Sequence, residues 1–211
     1  MLRLVKRIYY KLLQKPAPRV LISIYLSLRW RARVSLKADI RYPFMLKIGK
    51  HGRIENCKIV CSGKIVLGKS VQILDGAILD ASMGNIIIGD ETTINPYCVL
   101  YGAGGLTIGK NVGVATHTVI IPSNHGYLDL DTPMMKQPIE KKGIHIEDNV
   151  WIGSHSVILD GVTIASGAIV AAGAVVNRKV AREDIVAGIP AKTVNNRRSK
   201  VIQTKHQELK S

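Results

Sequence analysis

Aromatic residues are scarce: Trp, Tyr and Phe make up 5% of the 211 residues, with a single Phe, although 46% of the chain is apolar. A conventional globular core of this size uses more rings, so the interior has to be filled by aliphatic side chains. Cysteine is scarce too. Cys57, Cys61 and Cys98 make an odd set. Cys57 and Cys61 are four apart, but no second pair completes a zinc site, and three thiols build no disulfide framework. They read as the reduced thiols of a cytosolic protein. Val20–Leu28 is apolar apart from two serines, yet its nine residues fall far short of the ~20 that a spanning helix needs. No small-residue cleavage site follows it, which argues against a secretory signal.

Carboxylates are missing from residues 1–38, which hold ten Lys or Arg; the first acid is Asp39. From Lys192 onward Arg197, Arg198, Lys200, Lys205 and Lys210 face a single Glu208, and the residues between the two ends are balanced. The net charge of +15 is thus carried by the termini. Basic ends on a balanced middle argue against a continuous nucleic-acid groove and for anionic partners at the ends.

What is abundant is a rhythm. Ile146, Ile152, Ile158, Ile164, Val170 and Val176 fall six residues apart. A helix repeats its apolar face at three or four residues and an amphipathic strand at two. A period of six, with turn-formers between, is that of a chain wound into a triangular parallel β-helix, one aliphatic side chain per short strand pointing inward. The same spacing gives Ile48–Ile54–Val60, Leu67–Ile73–Leu79, Ile88–Ile94–Leu100 and Ile108–Val114–Ile120. The four triplets open on aliphatic–Gly pairs at Gly49, Gly68, Gly89 and Gly109. The spacing predicts about six coils between residues 40 and 194. A basic amphipathic segment (1–39) precedes them and a basic tail or short helix (195–211) follows.

In the N-terminal segment Leu2, Val5, Ile8, Tyr9, Leu12 and Leu13 share one helical face, and Pro16 and Pro18 end that helix. Arg29-Trp30-Arg31-Ala32-Arg33 then forms a basic run around an aromatic, a pattern suited to a membrane interface. Capping of the open coil end is the competing reading. Between Ile108 and Ile146 the interval is 38 residues, which leaves an excursion over residues 122–143. A protruding loop on a rigid scaffold is where function is sought. His125 stands at its root, within Ser123-Asn124-His125-Gly126-Tyr127, where a fixed imidazole can act as a base. His117 and His145 read as structural, and His155 as lining a groove. Neither a Gly-x-Ser-x-Gly nucleophile nor a phosphate-cradling Gly-rich loop is present, so direct attack of one substrate on another is the simplest chemistry.

The run from Ile144 through Trp151-Ile152-Gly153-Ser154 to Ile164, with Gly167–Val176 and Ile185–Lys192, resembles the hexapeptide-repeat acyltransferases. Closest in kind are the galactoside and maltose O-acetyltransferases and the polysaccharide O-acetyltransferases. The resemblance covers about residues 45–195. It implies an all-β, left-handed parallel β-helix, a homotrimer, and acetyl-CoA as co-substrate in the groove between subunits, with no metal. The family's catalytic histidine stands seventeen residues after the opening Ile of a coil, which from Ile108 gives His125. By the same resemblance Asn95 helps to shape the acceptor pocket, and Asn124, beside His125, is assigned to the acceptor with it. Trp151, Ser154 and Ala172 hold the thioester end and arm of the donor, and Asn177, Arg178, Lys192 and Arg197 its nucleotide end. Two departures matter: Ala103 replaces an acidic acceptor contact, and Asn177-Arg178 replaces a Thr-Lys pair.

The function expected is acetyl-CoA-dependent O-acetylation of a sugar hydroxyl in a surface polysaccharide or lipid-linked glycan precursor. The site expected is cytoplasmic, with peripheral contact on the cytoplasmic face of the inner membrane and no nucleic-acid partner. The alternatives are N-acetylation of an amino sugar nucleotide and a non-catalytic membrane-associated scaffold. A γ-type carbonic anhydrase is excluded by its need for two histidines five apart.

Overall fold

Three columns of stacked aliphatic side chains define a triangular parallel β-helix, and each column belongs to one face. The computed structural model describes residues 19–199. Face A carries Val34, Ile54, Ile73, Ile94, Val114, Ile152 and Val170 in register. Face B carries Ile40, Ile59, Leu79, Leu100, Ile120, Ile158 and Val176. Face C carries Ile48, Leu67, Ile88, Ile108, Ile146 and Ile164. All are buried in one continuous core, each worth roughly 1.5–3 kcal/mol of transfer free energy.

The strands Arg33–Val34, Asp39–Arg41 and Leu46–Ile48 form a first level, of which only Ile48 belongs to the first triplet of the six-residue period. The coil therefore starts at Arg33, inside the segment assigned to the N-terminal appendage. Its second level also differs from the expectation: Ile59 points inward and Val60 is half-buried outside, paired with Asp80. Two adjacent aliphatics made either register possible, and a five-residue step from Ile54 puts Ile59 over Leu79.

Helix α1 (Arg19–Trp30) touches the first strand of all three faces and so lies across the open end. Leu26 plugs the core, and Ser23 Oγ donates to Ser35 O at 2.9 Å. The helix expected over residues 1–14 lies outside the described residues. At the other end Asp184–Ala187 adds to face A, and Lys192–Asn196 folds back on it antiparallel. The chain assigned to a tail from residue 195 thus begins as the end of a strand, and residues beyond 199 lie outside the description.

The corners repeat as faithfully as the faces. Gly49, Gly68, Gly89 and Gly109 stack so closely that a Cβ on Gly89 would lie 2.6 Å from the Gly109 carbonyl carbon. Only glycine fits that approach. At the corner between A and B, Gly76, Tyr97, His117, His155 and Gly173 hold one left-handed position each, with φ from 58° to 71°.

Candidate functional site

The excursion leaves and rejoins the coil at a single corner, between B and C. Pro122 O and the Gly143 N–H both press on Gly104, where a side chain would collide with the Pro122 oxygen. One level above, the Asp160 carboxylate accepts from the N–H groups of Lys142 (3.1 Å) and Gly143 (2.8 Å). The loop's first residues pair with its last: Asn124 lies opposite Glu140 and His125 opposite Ile139 in an antiparallel hairpin. Gln137, buried at the loop's centre, donates to Asp129 O (2.8 Å) and Thr132 O (3.0 Å). Asp129 in turn accepts from Thr132 Oγ1 and from the Asp131 and Thr132 N–H groups, which holds its carboxyl below the usual carboxylate range. The loop is therefore braced from within, although Tyr127, Leu128, Leu130 and Met135 are exposed.

His125 is half-buried on this hairpin. Its Nδ1 is sealed from solvent and has no hydrogen-bond partner among the described residues, while the other ring nitrogen is not sealed in this way. An orphaned buried nitrogen is rare in a native chain and calls for a reason.

The donor-side candidates stand at a different corner. Trp151 lies on face A over Gly113 and is 49% exposed. After Ile152 the chain turns from A to B through Gly153 and Ser154. The Ser154 carbonyl accepts from Gly173 N at 2.8 Å, which joins it to the turn at Ala172 one level up. Gly153 is required there, since a Cβ would lie 2.5 Å from Ala172 N. Gly153 N–H and His155 N–H are bonded to Val170 O and Thr116 O, whereas among the described residues no backbone acceptor engages the N–H of Ser154 or Ala172. Asn95 sits at the same corner lower down, its Nδ2 donating to Val114 O at 2.9 Å.

His117 and His155, read from sequence as wall and groove residues, are both exposed at this corner. Their rings stack at 4.9 Å, and Tyr97 stacks on His117 at 5.2 Å. The column escaped the sequence reading because its period is that of whole coils rather than of strands. Aligning the coils would have put Tyr97, His117 and His155 in one position.

The remaining residues are dispersed. Asn177 and Arg178 follow Val176 at the B–C corner, exposed above the loop, and Lys192 is exposed at the upper end of face A. Arg197 lies at the third corner, its Nη1 on Gly167 O at 2.7 Å, beside an Arg198–Glu183 ion pair. With Asp148, Asn149, Ser166 and Arg182 they line a cleft of about 570 Å³. There the Ser166 hydroxyl and N–H donate to Glu147 and hold its carboxyl below the usual range. Within one chain, then, Ser154, Ala172 and Asn95 share the A–B corner, and His125, Asn177 and Arg178 the B–C corner. Face B lies between the two. Among the described residues no cluster of three or more His, Cys, Asp or Glu is placed to hold a metal ion.

Residues 143–178 match the family model for the bacterial transferase hexapeptide (six repeats). The chain is 29% identical over 146 residues to the "Putative lipopolysaccharide biosynthesis O-acetyl transferase WbbJ" of Escherichia coli (strain K12), covering 65% of this chain and 74% of that protein. It is 30% identical over 146 residues to the dTDP-4-amino-4,6-dideoxy-D-glucose acyltransferase of Escherichia coli, covering 66% of this chain and 75% of that protein. In three dimensions it resembles the N-acyltransferase AntD from Bacillus cereus, solved as a point mutant in complex with dTDP-4-amino-4,6-dideoxyglucose and coenzyme A. The TM-score is 0.61 at 23% identity, over 87% of this chain and 93% of that one. That likeness extends to the left-handed β-helix as a whole.

Proposed function

The chain belongs to the hexapeptide-repeat acyltransferases, and on that premise we propose that it moves an acetyl group from acetyl-CoA to a sugar hydroxyl. The acceptor is part of a surface polysaccharide or its lipid-linked precursor, and the reaction takes place at the cytoplasmic face of the membrane. The observation that carries this reading is His125: an imidazole half-buried on a braced hairpin, with its Nδ1 sealed from solvent and without a partner among the described residues. Such a group takes the proton from the acceptor hydroxyl as its oxygen attacks the thioester carbonyl, then returns it to the departing thiolate. No bond to the enzyme forms. The unengaged N–H groups at Ser154 and Ala172 suit the charge that develops on the carbonyl oxygen. Asn124, beside His125, and Asn95 are assigned to the acceptor.

Of the residues assigned to the donor, Ser154 and Ala172 share the A–B corner beside Trp151, while Arg178, Lys192 and Arg197 stand at three other places on the chain. Trp151 offers an exposed ring, the Ser154–Ala172 turns a narrow backbone groove, and Arg178 and Lys192 exposed cations for phosphates; Asn177 and Arg197 complete the set assigned to the nucleotide. Because His125 and Ser154 border opposite edges of face B, the site is completed by a second copy, whose A–B corner meets this chain's B–C corner. A homotrimer provides that arrangement. Its support is the outer surface of face B, where Ile78, Val99, Val119, Val157 and Val175 stand in one outward ladder.

N-acylation of an amino sugar nucleotide is the second reading, favoured by the similarity to the dTDP-amino sugar acyltransferase. Acetyl-CoA turnover on paired hydroxyl and amino acceptors decides between them. Transfer confined to amino sugar nucleotides would overturn the O-acetyl reading, and failure to bind acetyl-CoA at millimolar concentration would overturn both.

A further inference from the structure

We infer that the N-terminal end of the coil docks on an anionic lipid bilayer through the outward side of α1. The inference rests on the lipid-linked acceptor proposed above and gives it a geometry. Because α1 lies across the end of the prism, its two sides point along the coil axis in opposite directions. The inner side buries Ser23 and Leu26 and is tied down by Ser23 Oγ to Ser35 O and by Val34 N to Ser27 Oγ (3.2 Å). Leu21, Ile24, Tyr25 and Leu28, spaced for one helical face, occupy the outer side and are 45–78% exposed. A surface helix of a soluble domain turns its apolar stripe inward. Here the outward side carries the exposed apolar residues, and among the described residues it closes this end of the coil.

Charge identifies what covers it. Residues 1–38 carry ten cations and no carboxylate. Arg29, Arg31 and Arg33 are exposed at the end of α1, with the Arg29 guanidinium 4.6 Å from the centre of the Trp30 ring. Asp39, the nearest acid, already faces Arg41 at 3.3 Å and Arg19 at 3.9 Å. A second copy docked end to end would bring two such cationic ends together, which is unfavourable. An apolar helix side rimmed by Arg matches the boundary between anionic headgroups and acyl chains. No described helix is long and apolar enough to cross a membrane, and the contact inferred here is one of α1 lying against the surface.

The rigid coil then fixes a distance. The loop bearing His125 departs four levels above the first rung, roughly 19 Å along the axis at ~4.8 Å per level, and the thickness of α1 adds to its distance from the docked surface. A sugar held at the headgroup does not reach that far. The acceptor class this favours is a glycan several sugars long that projects from its lipid.

Co-sedimentation of the full chain with phosphatidylcholine vesicles, with and without phosphatidylglycerol, tests the inference. Binding should require the anionic lipid, weaken with salt, and fall at least about tenfold in the double variant Leu21→Asp/Leu28→Asp, whose positions lie outside the core. Equal binding by the variant, or none by the unaltered chain, overturns it. So does a doubling of solution mass that the double variant abolishes, which would give the surface to a second copy. Calorimetry with acetyl-CoA on the same samples separates the two ideas. A variant that binds acetyl-CoA but not vesicles supports the docking surface. Vesicle binding by a chain that never binds acetyl-CoA removes the enzyme reading and leaves the surface standing.

Discussion

The indole of Trp151 occupies the space that the missing side chain of Gly113 leaves one rung below: a Cβ there would lie 2.5 and 2.6 Å from two ring carbons. Gly113 lies in a strand and outside the left-handed region, so alanine adds no backbone strain and acts only by pushing the ring aside. If Trp151 lines the donor groove, Gly113→Ala should raise the KM for acetyl-CoA several-fold with little change in kcat. Trp fluorescence should shift while the circular dichroism stays the same. An unchanged KM beside a shifted fluorescence would remove Trp151 from the donor site.

His125 makes a sharper test. Loss of a general base costs typically 10²–10⁴-fold in rate, so His125→Ala should lower kcat by about that factor. Acetyl-CoA should still bind, because Trp151, Ser154 and Ala172 stand away from the B–C corner that holds His125. A variant that keeps more than about a tenth of the activity would show that another group takes the proton.

The coil was legible in the sequence because inward positions must be aliphatic and recur at a fixed step, and the Ile–Gly pairs mark corners where the backbone tolerates nothing else. Where both neighbours are aliphatic, as at Ile59 and Val60, periodicity could not choose the register. Helix α1 was hidden for the opposite reason: apolar residues stand on both its sides, Ile22 and Leu26 toward the core and Leu21, Ile24 and Leu28 toward solvent, so the run shows no single apolar face. His125 was visible by its place at the loop's root, but the brace around Gln137 was not, because an amide bonding to carbonyls leaves no periodic trace. The separation of His125 from Ser154 by the width of face B left no trace in the spacing of the residues, since it depends on where the faces meet in space.

The outward ladder on face B predicts where copies meet. Val119 lies between Val99 and Val157, and its side chain takes no part in the core. Val119→Lys should therefore spare the fold but place a charge in the middle of the interface. Light scattering should show monomers in place of trimers, and acetyl transfer should disappear with the trimer. A trimer that persists with lysine at this position would move the interface to another face.

Gln137 braces the loop of residues 122–143 from within, the loop proposed to meet the acceptor. Gln137→Leu keeps the volume but strands Asp129 O and Thr132 O, a local penalty of about 1–3 kcal/mol. Hydrogen exchange across residues 127–136 should accelerate. The acceptor KM should rise while acetyl-CoA binding holds constant. A matching loss of donor affinity would mean that the loop also shapes the donor groove.

The three thiols set an alkaline limit on stability. Burial is the chief cause that pushes Cys57 and Cys61 up to about 12 and Cys98 to about 11, from an ordinary value near 9. Below pH 9 the folded and unfolded chains both keep these protons, so the thiols add no pH dependence. Between about 9 and 12 the unfolded chain loses them first and binds fewer protons than the folded one, so stability must fall as pH rises through that window. Lysines and tyrosines titrate there too, and the thiol share is isolated by difference. Urea midpoints measured at pH 7.5 and 10 should drop less for Cys57→Ala/Cys61→Ala/Cys98→Ala than for the unaltered chain. The native thiols should also resist an aromatic disulfide reagent at pH 8, because a buried neutral thiol is not a nucleophile. Rapid labelling of the folded protein, or equal drops in the two midpoints, would contradict the burial that the coil interior imposes on these side chains.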